Sequence, residues 1–361
     1  HLWAETYDRR LEVDNVFAVQ TDVARRVARA LEATLRPEEE DRISGRPTES
    51  LAAYDLYLQA RDVYYRFEDE ANEEAIRLFR SALDEDPDYA LAWAGIANAF
   101  SQRAFRYGRP LAWRDSAVRY ARRAIELGPE LPEGHRALGL AYSIIPGRGE
   151  AALEAHLRAL ELDPNDLAAA NNIGVHYLDL GRFDEAIPWF RQAARLAPNI
   201  FIPTSFSAYT YDALGLDRLA QKWRERALVL DPDLEWHRLR PAVLALYGED
   251  RQEALSRAEE FVRGVPGNAD ALRGAAAIAY MARDFERAVG YARESLRVEP
   301  ALRWNPWWHD APILLGICLL KSAEGGEALR EAIAEEERRI EEGSELFPPR
   351  LHLAAAHAAP G

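Results

Sequence analysis

Residues 165–198 read NDLAAANNIGVHYLDLGRFDEAIPWFRQAARLAP. Small residues stand at Gly174, Ala186 and Ala193, and aromatics at Tyr177, Phe183 and Phe190, with Gly181 midway and Pro198 at the close. The spacing predicts two amphipathic helices joined at Gly181, because a glycine there allows the turn and a proline after the second helix stops it. Pro164, Pro198, Pro232, Pro266 and Pro300 then follow one another at a constant interval, the length of the quoted stretch. One helical pair cannot bury its own apolar face, so a strict period of this kind predicts a stack of pairs sharing a lengthwise core. Small residues let the backbones approach, and enlarging Ala186 to leucine would overpack the contact at a cost of roughly 1–3 kcal/mol.

The period and these residues resemble the tetratricopeptide repeat (TPR). The resemblance implies an all-α helix–turn–helix solenoid wound as a right-handed superhelix. Seven repeats are expected, at about 51–87, 88–129, 130–164, 165–198, 199–232, 233–266 and 267–300. The connection in the first, near Arg66–Glu73, is three residues longer than the motif, and SQRAFRYGRPLAWRD in the second is eight residues over length. An insertion of that kind forms either a loop at one edge of the stack or a longer helix with a relaxed turn. Repeat six carries Pro241 inside its expected first helix, which predicts a kink or a delayed start. Residues 301–361 read as a divergent repeat rich in tryptophan, with Trp304, Trp307 and Trp308 close together, then a charged helix at Glu327–Glu342 and the start of a further repeat.

Ahead of the repeats, His1–Arg10 alternates like a strand. Val16, Val19, Val23, Val27, Leu31 and Leu35 give one apolar stripe on a long helix, and PEEEDRISGR at 37–46 reads as a charged linker. Thr48 or Ser50 is placed to cap the helix that follows. The order WAETYDR, then VFAVQTDVARRVARALEATL, then RPTESLAAYDLYLQAR resembles the end of a TolB-like domain running into the TPR array of bacterial multidomain regulators. That resemblance extends from His1 to about Tyr65. It implies that a Ser/Thr kinase, a nucleotidyl cyclase or a winged-helix domain accompanies the repeats. Opening on His1 and closing on AAHAAPG in mid-pattern, the sequence reads as part of a longer protein.

A net charge of −15 argues against a nucleic-acid partner, which requires clustered Lys and Arg. No apolar run reaches the ~18 residues of a membrane span, so the expected location is cytoplasmic, or periplasmic if the parent protein carries a membrane segment upstream. The single cysteine, Cys318, lies in the apolar run ILLGICLLK and reads as a buried thiol. Gly147, Gly149 and Ala152 match a loose dinucleotide pattern, but a helix precedes them instead of a strand, and Ala152 is a packing position. His176 and Asp179 share a helix face without a third ligand at metal spacing. Neither a catalytic motif nor a cofactor or metal site is predicted.

The functional expectation is therefore a protein–protein interaction scaffold. Two alternatives stand beside it: the regulatory portion of a cyclase or kinase whose catalytic domain lies elsewhere, and a self-associating spacer. TPR resemblance implies that the first helix of each pair lines a concave groove. Its groove positions here are Asn171, Asn172 and Val175, then Ile202, Phe206 and Tyr209, then Trp236, Arg240, Val243 and Tyr247, then Arg273 and Tyr280. Aromatics and arginine dominate binding hot spots. The expected ligand is thus an extended or helical protein segment with apolar anchors and an acidic group near Arg240 or Arg273. The family's carboxylate clamp is matched only by Arg136 and Asn172; Leu140, Ile202 and Phe206 occupy its other positions and cannot bind a carboxylate.

Overall fold

The computed structural model describes residues 13–30, 37–66, 69–106, 112–145, 147–231, 235–247 and 250–298. The strand-like start, the tryptophan cluster, Cys318 and the charged helix at Glu327–Glu342 lie outside these residues. Every element among them is an α-helix. Contacts divide the chain into two units, residues 1–103 with 112–138, and residues 104–111 with 139–361.

The first unit opens with α1 (Val13–Ala30) and α2 (Pro37–Ser44). The expected linker is thus partly helix: Pro37 stands first in α2, where its missing N–H costs no hydrogen bond. Among the described side chains of α1 the most buried is Phe17, 5% exposed, whereas Val27 of the predicted stripe is 43% exposed. Phe17 meets the Tyr54 ring edge-on at 4.9 Å, and Gln20 Nε2 donates to the Tyr54 hydroxyl at 3.0 Å. These contacts lay α1 on the first helix of the hairpin α3 (Leu51–Tyr64) and α4 (Asp69–Glu85). Ser50 caps α3, its hydroxyl accepting from the Ala53 N–H at 3.1 Å.

Next come α5 (Ala90–Arg106) and α6 (Ala112–Leu127). The over-long connection of the second repeat goes partly into helix: α5 has 17 residues, against 12 or 13 in the later first helices. Its added turn is anchored. Arg103 is 6% exposed, pairs with Glu73 and lies 4.5 Å over the Trp113 ring. Gln102 accepts from Asn72 Nδ2 at 2.6 Å. Helix α7 (Pro132–Ser143) begins in this unit, where Ala137 packs on Ala94, Ala97, Ala121 and Ala124.

The second unit carries α8 (Gly149–Leu162), α9 (Leu167–Asp179), α10 (Phe183–Leu196), α11 (Phe201–Ala213), α12 (Asp217–Leu230), α13 (Glu235–Tyr247), α14 (Arg251–Gly264), α15 (Ala269–Met281) and α16 (Phe285–Val298). First helices start at Leu167, Phe201, Glu235 and Ala269, and second helices at Gly149, Phe183, Asp217, Arg251 and Phe285, each one proline period after the last. Helix α13 keeps this schedule and runs through Pro241, so the proline neither delays nor ends it. Proline lacks the N–H for one backbone hydrogen bond, and its ring is exposed. The exposed Pro188 is carried inside α10 in the same way.

In four of the hairpins the turn is a left-handed residue at a fixed place: Gly147 (φ 70°), Gly181 (φ 72°), Gly215 (φ 69°) and Arg283 (φ 63°). Around Gly181, the Arg182 N–H reaches back to the Tyr177 carbonyl at 2.9 Å and the Gly181 N–H to that of Leu178 at 2.9 Å, which satisfies the last carbonyls of α9. Close packing follows the predicted small residues. A Cβ added at Gly174 would lie 2.6 Å from the Phe190 ring.

Candidate partner-binding groove

Four first helices of the second unit, α9, α11, α13 and α15, carry the predicted groove residues. On α9, Asn172, Val175 and Asp179 fall on one face by helical spacing, as Ile202, Phe206 and Tyr209 do on α11. The structure brings Val175, Phe206 and Tyr209 together: all three are half-buried against the cluster of Leu178, Ala186 and Phe190. Phe206 stacks on Phe190 with centroids 5.1 Å apart and planes 12° from parallel. Part of each aromatic is therefore spent on packing, and the remainder faces outward with Ile202, which is 40% exposed. Asn171 and Asn172 are half-buried beside them, and the Asn171 side-chain oxygen is buried without a donor.

Further along, Val243 packs on Leu239 and Ala242 of α13, and Tyr280 packs on Ala276, Ala277 and Ala292. Trp236 and Tyr247 lie on the same helix as Arg240, with side chains outside the described ones.

The two arginines differ from expectation. Arg240 is 13% exposed and donates to Asp212 Oδ1 at 2.9 Å, with Asp217 at 3.7 Å. Arg273 is 6% exposed and places Nε and Nη2 on Asp270 Oδ1 at 3.2 and 2.6 Å. Each guanidinium already has a carboxylate from its own chain. Neither is a vacant receptor for an acidic ligand, because each is largely buried and already paired.

Sequence reasoning missed a polar seam between the fifth and sixth repeats. Arg224, 5% exposed, occupies the place in α12 that Phe190 holds in α10, one period earlier. It pairs with Asp212, which Arg240 also holds, so one carboxylate bridges two guanidinium groups. Beside them the Ser205 hydroxyl and His237 Nε2 are 2.8 Å apart, both residues buried. Burial, and then the Arg224 charge, push the His237 pKa down to about 3, so the ring is neutral. The signal was available: an arginine in a column that otherwise holds His156, Phe190, Ala258 and Ala292.

Asp179, the last residue of α9, shares a helix face with His176 and has no third ligand at metal spacing in the sequence. Burial raises its carboxyl to about 7. Tyr209 feels its charge and that of Asp212, both of which raise the phenol's pKa after the larger effect of burial. Among the described residues no group of three or more His, Cys, Asp or Glu is placed to hold a metal, and no helix is long and apolar enough to cross a membrane.

Residues 147–199 and 240–301 match the tetratricopeptide repeat family. The hairpins within those residues are tetratricopeptide repeats. Among solved structures, yeast Tom70 is similar over 86% of this chain and 65% of its own, with 19% identity and a TM-score of 0.54. A tetratricopeptide repeat protein from Parabacteroides merdae is similar over 75% of this chain and 100% of its own, with 14% identity and a TM-score of 0.52. These likenesses show the TPR fold alone. By sequence, a putative adenylate cyclase 3 from Rhizobium meliloti is 36% identical over 146 residues, 40% of this chain and 24% of that protein. Anaphase-promoting complex subunit 3 from Schizosaccharomyces pombe is 24% identical over 194 residues, 54% of this chain and 28% of that protein. The matched stretches span about a quarter of the length of these curated relatives.

Proposed function

We propose that this chain is a non-catalytic interaction scaffold whose TPR groove holds a segment of a partner protein, or of another part of its own polypeptide. The observation that carries the reading is the shared ledge of Val175, Phe206 and Tyr209 on consecutive first helices, half-buried and continued by exposed Ile202. Apolar and aromatic side chains held rigid by their own core bind at low entropic cost. A segment with apolar anchors fits this ledge, and the paired states of Arg240 and Arg273 remove the case for an acidic group opposite them. Asn171 and Asn172 supply amides to the segment's backbone.

The test is to replace Phe206 and Tyr209 by alanine and measure binding of peptides selected on the unaltered chain. Loss of binding by a variant with unchanged helical content supports the groove; retained binding moves the site elsewhere. Arg273 is a poor target, since Arg273→Glu would bury a carboxylate beside Asp270.

A second reading places these repeats as the regulatory region of a nucleotidyl cyclase. The identity with putative adenylate cyclase 3 favours it, as does the TolB-like resemblance of the first residues. Cyclase activity of the parent polypeptide, measured with Phe206→Ala and Tyr209→Ala in place, tests it. Unaltered activity and regulation would reject that role, whereas a changed response to partner peptide would support it.

A further inference from the structure

Three ionisable groups stand along the groove on α9, α11 and α13, namely Asp179, Asp212 and Arg240, and their pairing is unequal. Asp212 is held by two guanidinium groups. Asp179 has no cation or hydrogen-bond donor on its carboxyl among the described residues. The cationic neighbour next along the chain, Arg182, is taken up by Glu185 and lies 4.9 Å over the Tyr177 ring. His176 on the same helix is set against Gly149 of α8. Tyr209, from α11, adds a phenol and no positive charge. Asp179 also ends α9, where the helix dipole is negative and opposes a second negative charge. A half-buried carboxylate in these surroundings lacks a counter-charge, and the groove beside it is otherwise apolar and aromatic.

We propose that Asp179 receives a lysine or arginine side chain of the segment bound in this groove, with Val175, Phe206 and Tyr209 contacting that segment's apolar residues. The inference rests on the groove reading above and reverses the charge first expected of the ligand. Complementarity supports it on two scales. Locally, an incoming cation supplies the partner that the fold withholds. Globally, a chain of net charge −15 attracts basic segments. Because burial raises the carboxyl to about 7, an incoming cation must meet an acid that is partly protonated at neutral pH, and binding then releases a proton.

The test uses the full chain and a phage-displayed library of twelve-residue peptides, panned at pH 8. Enriched peptides should share a lysine or arginine among apolar residues. Replacing that basic residue by norleucine should weaken binding about tenfold on the unaltered chain, and not at all on Asp179→Asn. Lowering the pH from 8 to 6 should cost the unaltered chain about tenfold in affinity and leave Asp179→Asn unchanged. Panning on Asp179→Lys should enrich Asp or Glu instead. Peptides that need Phe206 and Tyr209 but carry no basic residue would overturn the role of Asp179 while leaving the groove standing. Peptides indifferent to Phe206 and Tyr209, or no enrichment at all, would overturn the groove and the inference together.

Discussion

Two neighbouring seams of the second unit fill the same slot with opposite chemistry. Between the fourth and fifth repeats Phe190 stacks on Phe206 against Ala186 and Leu178, with no ionised side chain in the cluster. One period later the slot of Phe190 belongs to Arg224, and the seam is held by Arg224, Asp212 and Arg240 with the Ser205–His237 pair beside them. The backbone schedule is unchanged, since α9, α11 and α13 each have 13 residues. What differs is the environment on which each seam depends. Apart from Asp179 at the end of α9, the dry seam rests on apolar burial and dispersion, which change little with pH. The charged seam rests on a balance between desolvation and pairing that fails when one partner is lost.

The largest effect is expected from removing the bridging carboxylate. Asp212→Ala leaves two buried guanidinium groups facing each other and should cost about 3–5 kcal/mol. Phe190→Ala should cost a comparable amount, about 3–5 kcal/mol, by cavity formation. Repair separates the seams. Replacing Arg224, Asp212 and Arg240 together by Met, Leu and Met should restore stability to the original value or above it. Urea unfolding of the four proteins makes the measurement. A stable Asp212→Ala variant would mean that the pairs do not bear on folding.

Acid should act on the two regions with opposite sign. His237 is held at about 3 in the fold, against an ordinary 6.5, so the unfolded chain binds a proton that the folded chain refuses. Its contribution is complete above 6.5 and is lost as the pH falls toward 3. Asp179 is held at about 7 against an ordinary 3.8, so the folded chain keeps a proton that the unfolded chain releases. Its contribution is complete below 3.8 and is lost as the pH rises through 7. Each is worth on the order of 2 kcal/mol once residual solvent contact is allowed for. Relative to the unaltered chain, Asp179→Asn should be stabilised at pH 8 and lose stability more steeply on acidification. His237→Gln should lose stability less steeply. Thermal unfolding from pH 4 to 8 reads both, and parallel curves for all three proteins would remove the distinction.

A smaller perturbation tests the dry seam alone. Gly174→Ala would set a methyl 2.6 Å from the Phe190 ring and force it to move, at a cost of roughly 1–3 kcal/mol. The pH response set by His237 should stay as it was. A loss of that response would show that the two seams are mechanically coupled.

These contrasts show what the sequence made legible. The evenly spaced column of prolines, with glycines and alanines at packing positions, was enough to place hairpins, because periodicity reports backbone schedule and burial. The TPR resemblance, not the period, put Val175, Phe206 and Tyr209 among the expected groove positions of consecutive first helices. Partnering was not legible in the same way. Arg240 and Arg273 look like ligand receptors when only residue type is read, and their carboxylates, Asp212 and Asp270, are identified by side-chain geometry. Asp179 was passed over for the converse reason, since a missing counter-ion leaves no trace in a pattern. Pro241 misled because the rule against proline in helices weighs one lost hydrogen bond, while the packing of Leu239 and Ala242 on their neighbours keeps α13 on schedule.

The smallest effect lies outside both seams, in the turn between α15 and α16. Three turns of the series place glycine in the left-handed region, and Arg283 takes the same conformation at φ 63° with a side chain attached. A non-glycine residue there has its Cβ too close to the carbonyl oxygen, at a cost of about 1 kcal/mol. The turn is kept because the Arg283 N–H reaches the Tyr280 carbonyl and the Asp284 N–H that of Ala279, both at 2.9 Å, closing α15 as Gly181 closes α9. Arg283→Gly removes the strain without touching those bonds. It also loosens the unfolded chain, which offsets part of the gain. The expected net is a rise of up to about 1 kcal/mol, seen as a higher urea midpoint with an unchanged slope. Its pH profile should superimpose on that of the unaltered chain, since neither Asp179 nor His237 is involved. A lower midpoint would mean that the Arg283 side chain contributes more through its contacts than its backbone costs.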